Sequence, residues 1–190
     1  MSSNWTGFKG KQTQALWAAL GLGGVLVVTQ LINSMFGGAL FSLGIVPRDF
    51  SQVYGILLAP FLHASWWHLL SNLLPLMVMV FFIAQYGQKV LIQALVTIAL
   101  MSGVMVWFLG STGVHAGASG VVFGCWGFLL ASAYFERSVK SVVIALFVLL
   151  LYGGLIFGLL DVRPHISWSS HFFGLIAGVA TARLMSPKSK

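Results

Sequence analysis

An all-α, polytopic membrane protein built as a six-helix transmembrane bundle is the fold class predicted by three features of this sequence. Apolar residues make up 58% of its 190 positions and charged residues only 7%, with a mean hydropathy of +0.96. The apolar residues gather into runs close to the roughly 20 residues that a helix needs to cross hydrocarbon. The basic residues fall on alternate connections between those runs, as the two sides of a membrane demand. A barrel is excluded, because its strands would alternate apolar and polar at every second residue.

Taken in order, residues 1–13 form a polar segment expected to be disordered or to lie on the surface, residues 14–186 the membrane domain, and residues 187–190 a short tail. The six predicted spans are Gln14–Ile32, Trp67–Tyr86, Val90–Leu109, Ala118–Phe135, Ser141–Leu160 and Ser170–Met185. The first follows Lys9 and Lys11, as the core of a signal peptide would. It is longer than such a core and lacks a small-residue cleavage site, so it reads as a retained helix. The connection from Asn33 to Trp66 is too apolar for a simple water-exposed loop. Its run Gly55-Ile56-Leu57-Leu58-Ala59-Pro60-Phe61-Leu62 is too short to span, which predicts short helices lying in the outer interface. Trp66, Trp67 and Trp168 fall where an aromatic belt is expected. Cys125, the single cysteine, lies inside a span, so neither a disulfide framework nor a thiolate metal cluster is expected.

The net charge of +7 could suggest a nucleic-acid partner, but the placement of the charges argues for topology. Lys9, Lys11, Lys89, Arg137, Lys140, Arg183, Lys188 and Lys190 sort to one side, and Arg48 and Arg163 to the other. The positive-inside rule then puts both termini in the cytoplasm. The expected location is a bacterial inner (plasma) membrane, with the lipid bilayer as the constant partner and no nucleic acid.

Against this apolar background the polar residues inside the spans stand out, since such groups are costly at membrane depth and tend to be functional. Ser119 opens the fourth span within Gly117-Ala118-Ser119-Gly120, and His171 lies in the first turn of the sixth. The second span brings in His68 and Asn72, four residues apart and so on one helical face. All three spans start on the outer side, so the four residues share one depth. Taken singly, Ser119 reads as a small packing residue and His171 as a structural histidine. Together they supply a hydroxyl nucleophile and an imidazole base. The N–H groups of the Ser119 helix start could receive an oxyanion, and the side chains of His68 and Asn72 could add donors. Gly117 and Gly120 leave room around the hydroxyl for substrate. Gly-x-x-x-Gly spacings at Gly120/Gly124 and Gly174/Gly178 predict close packing of the two helices that carry Ser119 and His171.

Other hydrolytic designs lack their parts. A zinc site of the H-E-x-x-H type needs a glutamate that the stretch from His63 to His68 does not contain. Asp49, Glu136 and Asp161, the only acids, all fall in predicted loops, which disfavours a paired-carboxylate site and a full triad alike. No metal or cofactor is expected. His63 could assist the site or brace the loop, and His115 and His165 are left without a role.

With Gly117-Ala118-Ser119-Gly120 on the fourth span, His68-x-x-x-Asn72 on the second and His171-x-x-Gly174-x-x-x-Gly178 on the sixth, the chain resembles the rhomboid intramembrane serine proteases. The resemblance covers the transmembrane core. It implies Ser119 as nucleophile, His171 as base, and His68 with Asn72 around the oxyanion. It also implies that the Asn33–Trp66 connection is the membrane-embedded first loop, and that single-pass transmembrane proteins are the substrates, cut near the outer face. Two positions depart from the family's common pattern. Tyr54-Gly55 stands where many members have Trp-Arg, and Phe123 where some have Tyr. The alternative reading is a catalytically inactive protein of the same fold that binds transmembrane helices.

Overall fold

The computed structural model describes residues 2–159 and 167–186, and the architecture is all-α. Its helices are α1 (Ser2–Met35), α2 (Gly55–Leu58), α3 (Trp66–Ala84), α4 (Gln88–Leu109), α5 (Ser119–Glu136), α6 (Val139–Tyr152), α7 (Leu155–Gly158) and α8 (Trp168–Met185). Among the described residues four are long and apolar enough to cross a membrane: α1 from Lys9, α3, α4 and α5. The fifth predicted run is divided, with α6 14 residues long and α7 following a Gly153-Gly154 break. Two adjacent glycines weaken a helix by backbone entropy, which a hydropathy scan does not register. The sixth run forms α8, whose Gly, Ser, Ala and Thr residues make it less apolar than α3, α4, α5 and α6.

Those small residues are what α8 packs with. A methyl group at Gly178 would overlap the Gly124 carbonyl, and one at Gly174 would overlap the carbonyl of Gly120. The register Gly120–Gly174 and Gly124–Gly178 makes the two helices run parallel, backbone against backbone. α5 is the hub of the bundle, buried along most of its first three turns, with Phe128 and Leu129 among the most enclosed side chains. The outward faces of the surrounding helices carry exposed apolar residues such as Leu74, Ile92, Leu146 and Leu150, as a lipid-facing surface requires.

Hydrogen bonds order the two ends of the bundle. At one end Gln12 donates to Gln85, and the Lys140 ammonium donates to the Gln85 carbonyl. At the other, Asn33 at the end of α1 donates to the His63 carbonyl just before α3, and Ser111 after α4 meets Ser169 at the start of α8. The starts of α3, α5 and α8 therefore lie at one end. Lys9, Lys11, Lys89, Arg137, Lys140 and Arg183 belong to the opposite end, and Arg48 to the same end as those starts. Asp161, Arg163, His165, Lys188 and Lys190 lie outside the described residues.

The first loop folds as short turns, 3-10 at Ala39–Leu43, Phe50–Gln52 and Ala59–Phe61, with α2 between the last two. Gly55 presses on the Gly44 carbonyl so closely that a side chain there would collide with it, which explains why no arginine occupies this position. The anchor is Arg48, whose guanidinium donates to the carbonyls of Phe108 and Gly110 at the open end of α4. A cation on unpaired C-terminal carbonyls is favourable both as a hydrogen bond and against the helix dipole. The Trp107 indole N–H donates to the Asp49 carbonyl and its ring meets Phe50 edge-on.

The glycine contact yields a direct test. Gly174→Ala and Gly178→Ala should each lower the thermal midpoint in detergent, by an overpacking cost of about 1–3 kcal/mol. Gly24→Ala, where a methyl would meet nothing within 4 Å, should leave the midpoint unchanged or raise it. Equal losses at all three positions would show that no special approach exists between α5 and α8.

Candidate active site

Ser119 and His171 both line one cavity of about 770 Å³ at the end where α3, α5 and α8 begin. His68 and Asn72 from α3 line it too, so the four residues expected at one depth meet in one space. Phe123, one turn after Ser119 on α5, stacks on the His171 imidazole with ring centres 4.2 Å apart and planes 11° from parallel. The stack needs only an aromatic face, so Phe at this position does the work of orientation without a hydroxyl.

The edge of the His171 ring is set by the backbone. Its Nδ1 lies 2.9 Å from the carbonyl oxygen of Gly158. A carbonyl only accepts, so Nδ1 carries the hydrogen and the lone pair of the neutral ring is on Nε2. Gly158 comes this near because it has no side chain, since a methyl there would lie 2.8 Å from the Phe123 ring. Gly158 is the last residue of α7, the short helix that follows the Gly153-Gly154 break. Nothing in the side-chain pattern signals this partner.

Ser119 is the first residue of α5, in the turn whose leading N–H groups have no intrahelical acceptor. Asn72 donates one amide hydrogen to the His68 carbonyl at 2.7 Å and has a second. The His68 ring covers Gly117, where a methyl would sit 2.7 Å from its Cε1. Gly117 also has φ +127°, a backbone conformation that side chains rarely adopt, and its N–H donates to the Ala59 carbonyl. Gly117 thus seats His68, and Gly120 faces Ser170 and Gly174 on α8. Both line a smaller space of about 30 Å³ beneath the first loop rather than the large cavity.

Two histidines left without a firm role have one here. His63 is fully buried, and its Nε2 accepts the N–H of Ala118, the residue before Ser119, at 3.2 Å. Its Nδ1 has no hydrogen-bond partner among the described residues. The ring packs edge-on against His68 at 5.2 Å. His63 therefore braces the start of α5 and the base of His68 together. His115, also buried, bridges Ser111 and Ser167. Long sequence separation hid the links of His63 to Ala118 and of His115 to Ser167. No cluster of His, Cys, Asp or Glu that could hold a metal ion occurs among the described residues.

This chain belongs to the rhomboid family: residues 50–188 match the model of the rhomboid domain. An uncharacterized protein of Mycobacterium tuberculosis is 36% identical over 171 residues, covering 85% of this chain and 71% of the relative. One from Mycobacterium leprae is 34% identical over the same length, covering 85% and 68%.

Burial, and secondarily the neighbouring His68, pushes His63 down from its ordinary 6.5 to about 4. Between those values the unfolded chain binds a proton that the folded chain refuses. Stability should therefore be full above about pH 6.5 and fall as pH drops toward 4, by on the order of 3 kcal/mol from this group. His115 is lowered as well, mainly by burial, and adds to the slope. His63→Gln, whose amide oxygen can accept the Ala118 N–H without titrating, should flatten part of the decline in thermal midpoint. Parallel pH curves for the parent and the variant would remove His63 as a titrating group.

Proposed function

We propose that this chain is an intramembrane serine endopeptidase that cuts transmembrane proteins near the outer face of the membrane, using Ser119 and His171. The observation that carries the reading is the Nδ1–H of His171 held on the Gly158 carbonyl, which leaves Nε2 basic in the cavity that Ser119 also lines. Membership of the rhomboid family supports the same reaction class. The chain spans the membrane six times in this reading, with both termini cytoplasmic in a bacterial inner membrane. The grouping of described basic residues opposite the cavity supports that orientation.

In the proposed reaction His171 Nε2 accepts the Ser119 proton as Oγ attacks the scissile carbonyl carbon. The resulting oxyanion is met by first-turn N–H groups of α5, with His68 and the second Asn72 amide hydrogen as further donors. The C–N bond then breaks, its electron pair taking the proton from Nε2, and the amine end leaves. Water gives its proton to Nε2 and attacks the acyl-enzyme, the ester bond to Oγ breaks, and the proton returns to Ser119 as the acid product departs. Gly117 and Gly120 contribute to substrate binding through the space they spare, Gly117 by letting His68 approach the cavity and Gly120 by letting α8 do so.

A fluorophosphonate probe tests the nucleophile. It should label the parent protein, and labelling should vanish in Ser119→Ala and His171→Ala, because only a base-activated hydroxyl reacts readily. Label retained by Ser119→Ala would move the nucleophile elsewhere, and a folded parent that takes no label would favour a helix-binding protein without catalysis.

Substrate choice follows from the same chemistry. A peptide bond inside a helix is shielded, and unwinding it in hydrocarbon exposes backbone groups at several kcal/mol each. Single-pass substrates should therefore carry Gly, Ala or Ser at the cut and a helix breaker just beyond it. Replacing the breaker with Leu should slow cleavage in proteoliposomes. Equal rates for the two versions in matched lipid would refute this selectivity.

A further inference from the structure

His115 lies four residues before Ser119, in the loop between α4 and α5, outside both the Ser–His pair and the proposed oxyanion donors. Both nitrogens of its buried ring are engaged. Nε2 is 2.7 Å from the carbonyl oxygen of Ser111, which can only accept, so Nε2 carries the hydrogen. Nδ1 is then the acceptor, and the Ser167 hydroxyl donates to it at 2.6 Å. Ser167 caps α8: its Oγ accepts from the Ser170 N–H and its carbonyl accepts from the N–H of His171. With the Ser167 proton committed to His115, the Ser170 hydroxyl donates to Ser167 Oγ, and every bond in the chain has one direction. The backbone of His115 is fixed as well, exchanging both its hydrogen bonds with Ile45 of the first loop.

We propose that His115 is a positioning residue: through Ser167 it holds the first turn of α8, and so the main chain of His171, in register with the loop that presents Ser119. The inference rests on the Ser–His reading above and goes beyond it. Gly158 and Phe123 fix how the His171 ring is turned, but not where the start of its helix stands. The glycine contact with α5 sets the register of the helix from Gly174 onward, and the cap holds the turn before it; that cap is tied to His115 on one side and, through Ser111 and Ser169, to the end of α4 on the other. Because Ile45 pairs with the same residue, movement of the first loop is transmitted to the base.

Amide substitutions separate the two ring contacts. In His115→Asn the side-chain oxygen falls near the place of Nδ1 and can still accept from Ser167, whereas the Ser111 contact is lost. In His115→Gln the amide reaches Ser111 and the Ser167 contact is lost. At matched folded fraction in proteoliposomes, His115→Gln and His115→Ala should lower kcat roughly 10–100-fold, the cost of misplacing a catalytic group by about 1 Å, with KM little changed. His115→Asn should keep kcat within about threefold of the parent by the same reasoning, although its thermal midpoint falls as far as that of His115→Gln. Ser167→Ala should reproduce the His115→Gln loss, and the double variant should lose no more, since the two act through one contact. Parent-like kcat in His115→Gln, or kcat tracking the thermal midpoint alike in Asn and Gln, would overturn the proposal. If the parent neither cleaves nor takes a fluorophosphonate label, the proposed function fails and the positioning is still measurable. The 15N resonances of the His171 ring should move in His115→Gln and stay in His115→Asn, and resonances unmoved in both would overturn it.

Discussion

The contact of α8 with α5 through Gly174 and Gly178 on the carbonyls of Gly120 and Gly124 is the constraint on which the rest depends. In lipid no hydrophobic force drives two apolar helices together, so close packing of small residues has to do it. This contact fixes the separation of the two helices near its lower limit and their register to the residue. One turn above it, the first turns of both helices stand side by side and deliver Ser119 and His171 to one cavity. The same requirement fills α8 with Gly, Ala, Ser and Thr, which is why it is less apolar than the helices around it. Low hydropathy here marks burial against protein.

How much of this could be read from the sequence depends on how local each signal is. Ser119 with its flanking glycines, the His68–Asn72 pair and the two Gly-x-x-x-Gly spacings lie within single helices, so period and motif expose them. The rhomboid fold, which the family match shows, follows from these. The undivided fifth span did not survive: Gly153-Gly154 splits it into α6 and α7, because hydropathy weighs side chains and not the cost of ordering a glycine backbone. Gly117 illustrates a second limit. Its neighbourhood to Ser119 reads as room for substrate, while its φ of +127° and the His68 ring packed on it tie it to the seating of α3. Arg48, likewise, reads only as a topological charge. That it closes the end of α4 depends on the loop's path, which brings it to the Phe108 and Gly110 carbonyls some sixty residues away.

The partner of the His171 Nδ1 shows why a site of this kind is hard to find by inventory. In water-soluble serine hydrolases a carboxylate commonly holds the base and stabilises its charged form. A carboxylate at membrane depth would be costly unless fully paired, and the spans of this chain carry none in their interior. A backbone carbonyl has the right geometry, no net charge and no side chain to desolvate. It selects the same tautomer while offering the imidazolium only a dipole. On the proposed mechanism that dipole and the face of Phe123, whose π-cloud attracts a cation, both favour the charge on His171 during acylation. Orientation thus rests on the position of a peptide group at the end of a four-residue helix, which is a matter of fold rather than of residue type. The bare Gly158 and the stacked Phe123 have to be taken as one device, because a side chain on Gly158 would strike the ring that orients His171.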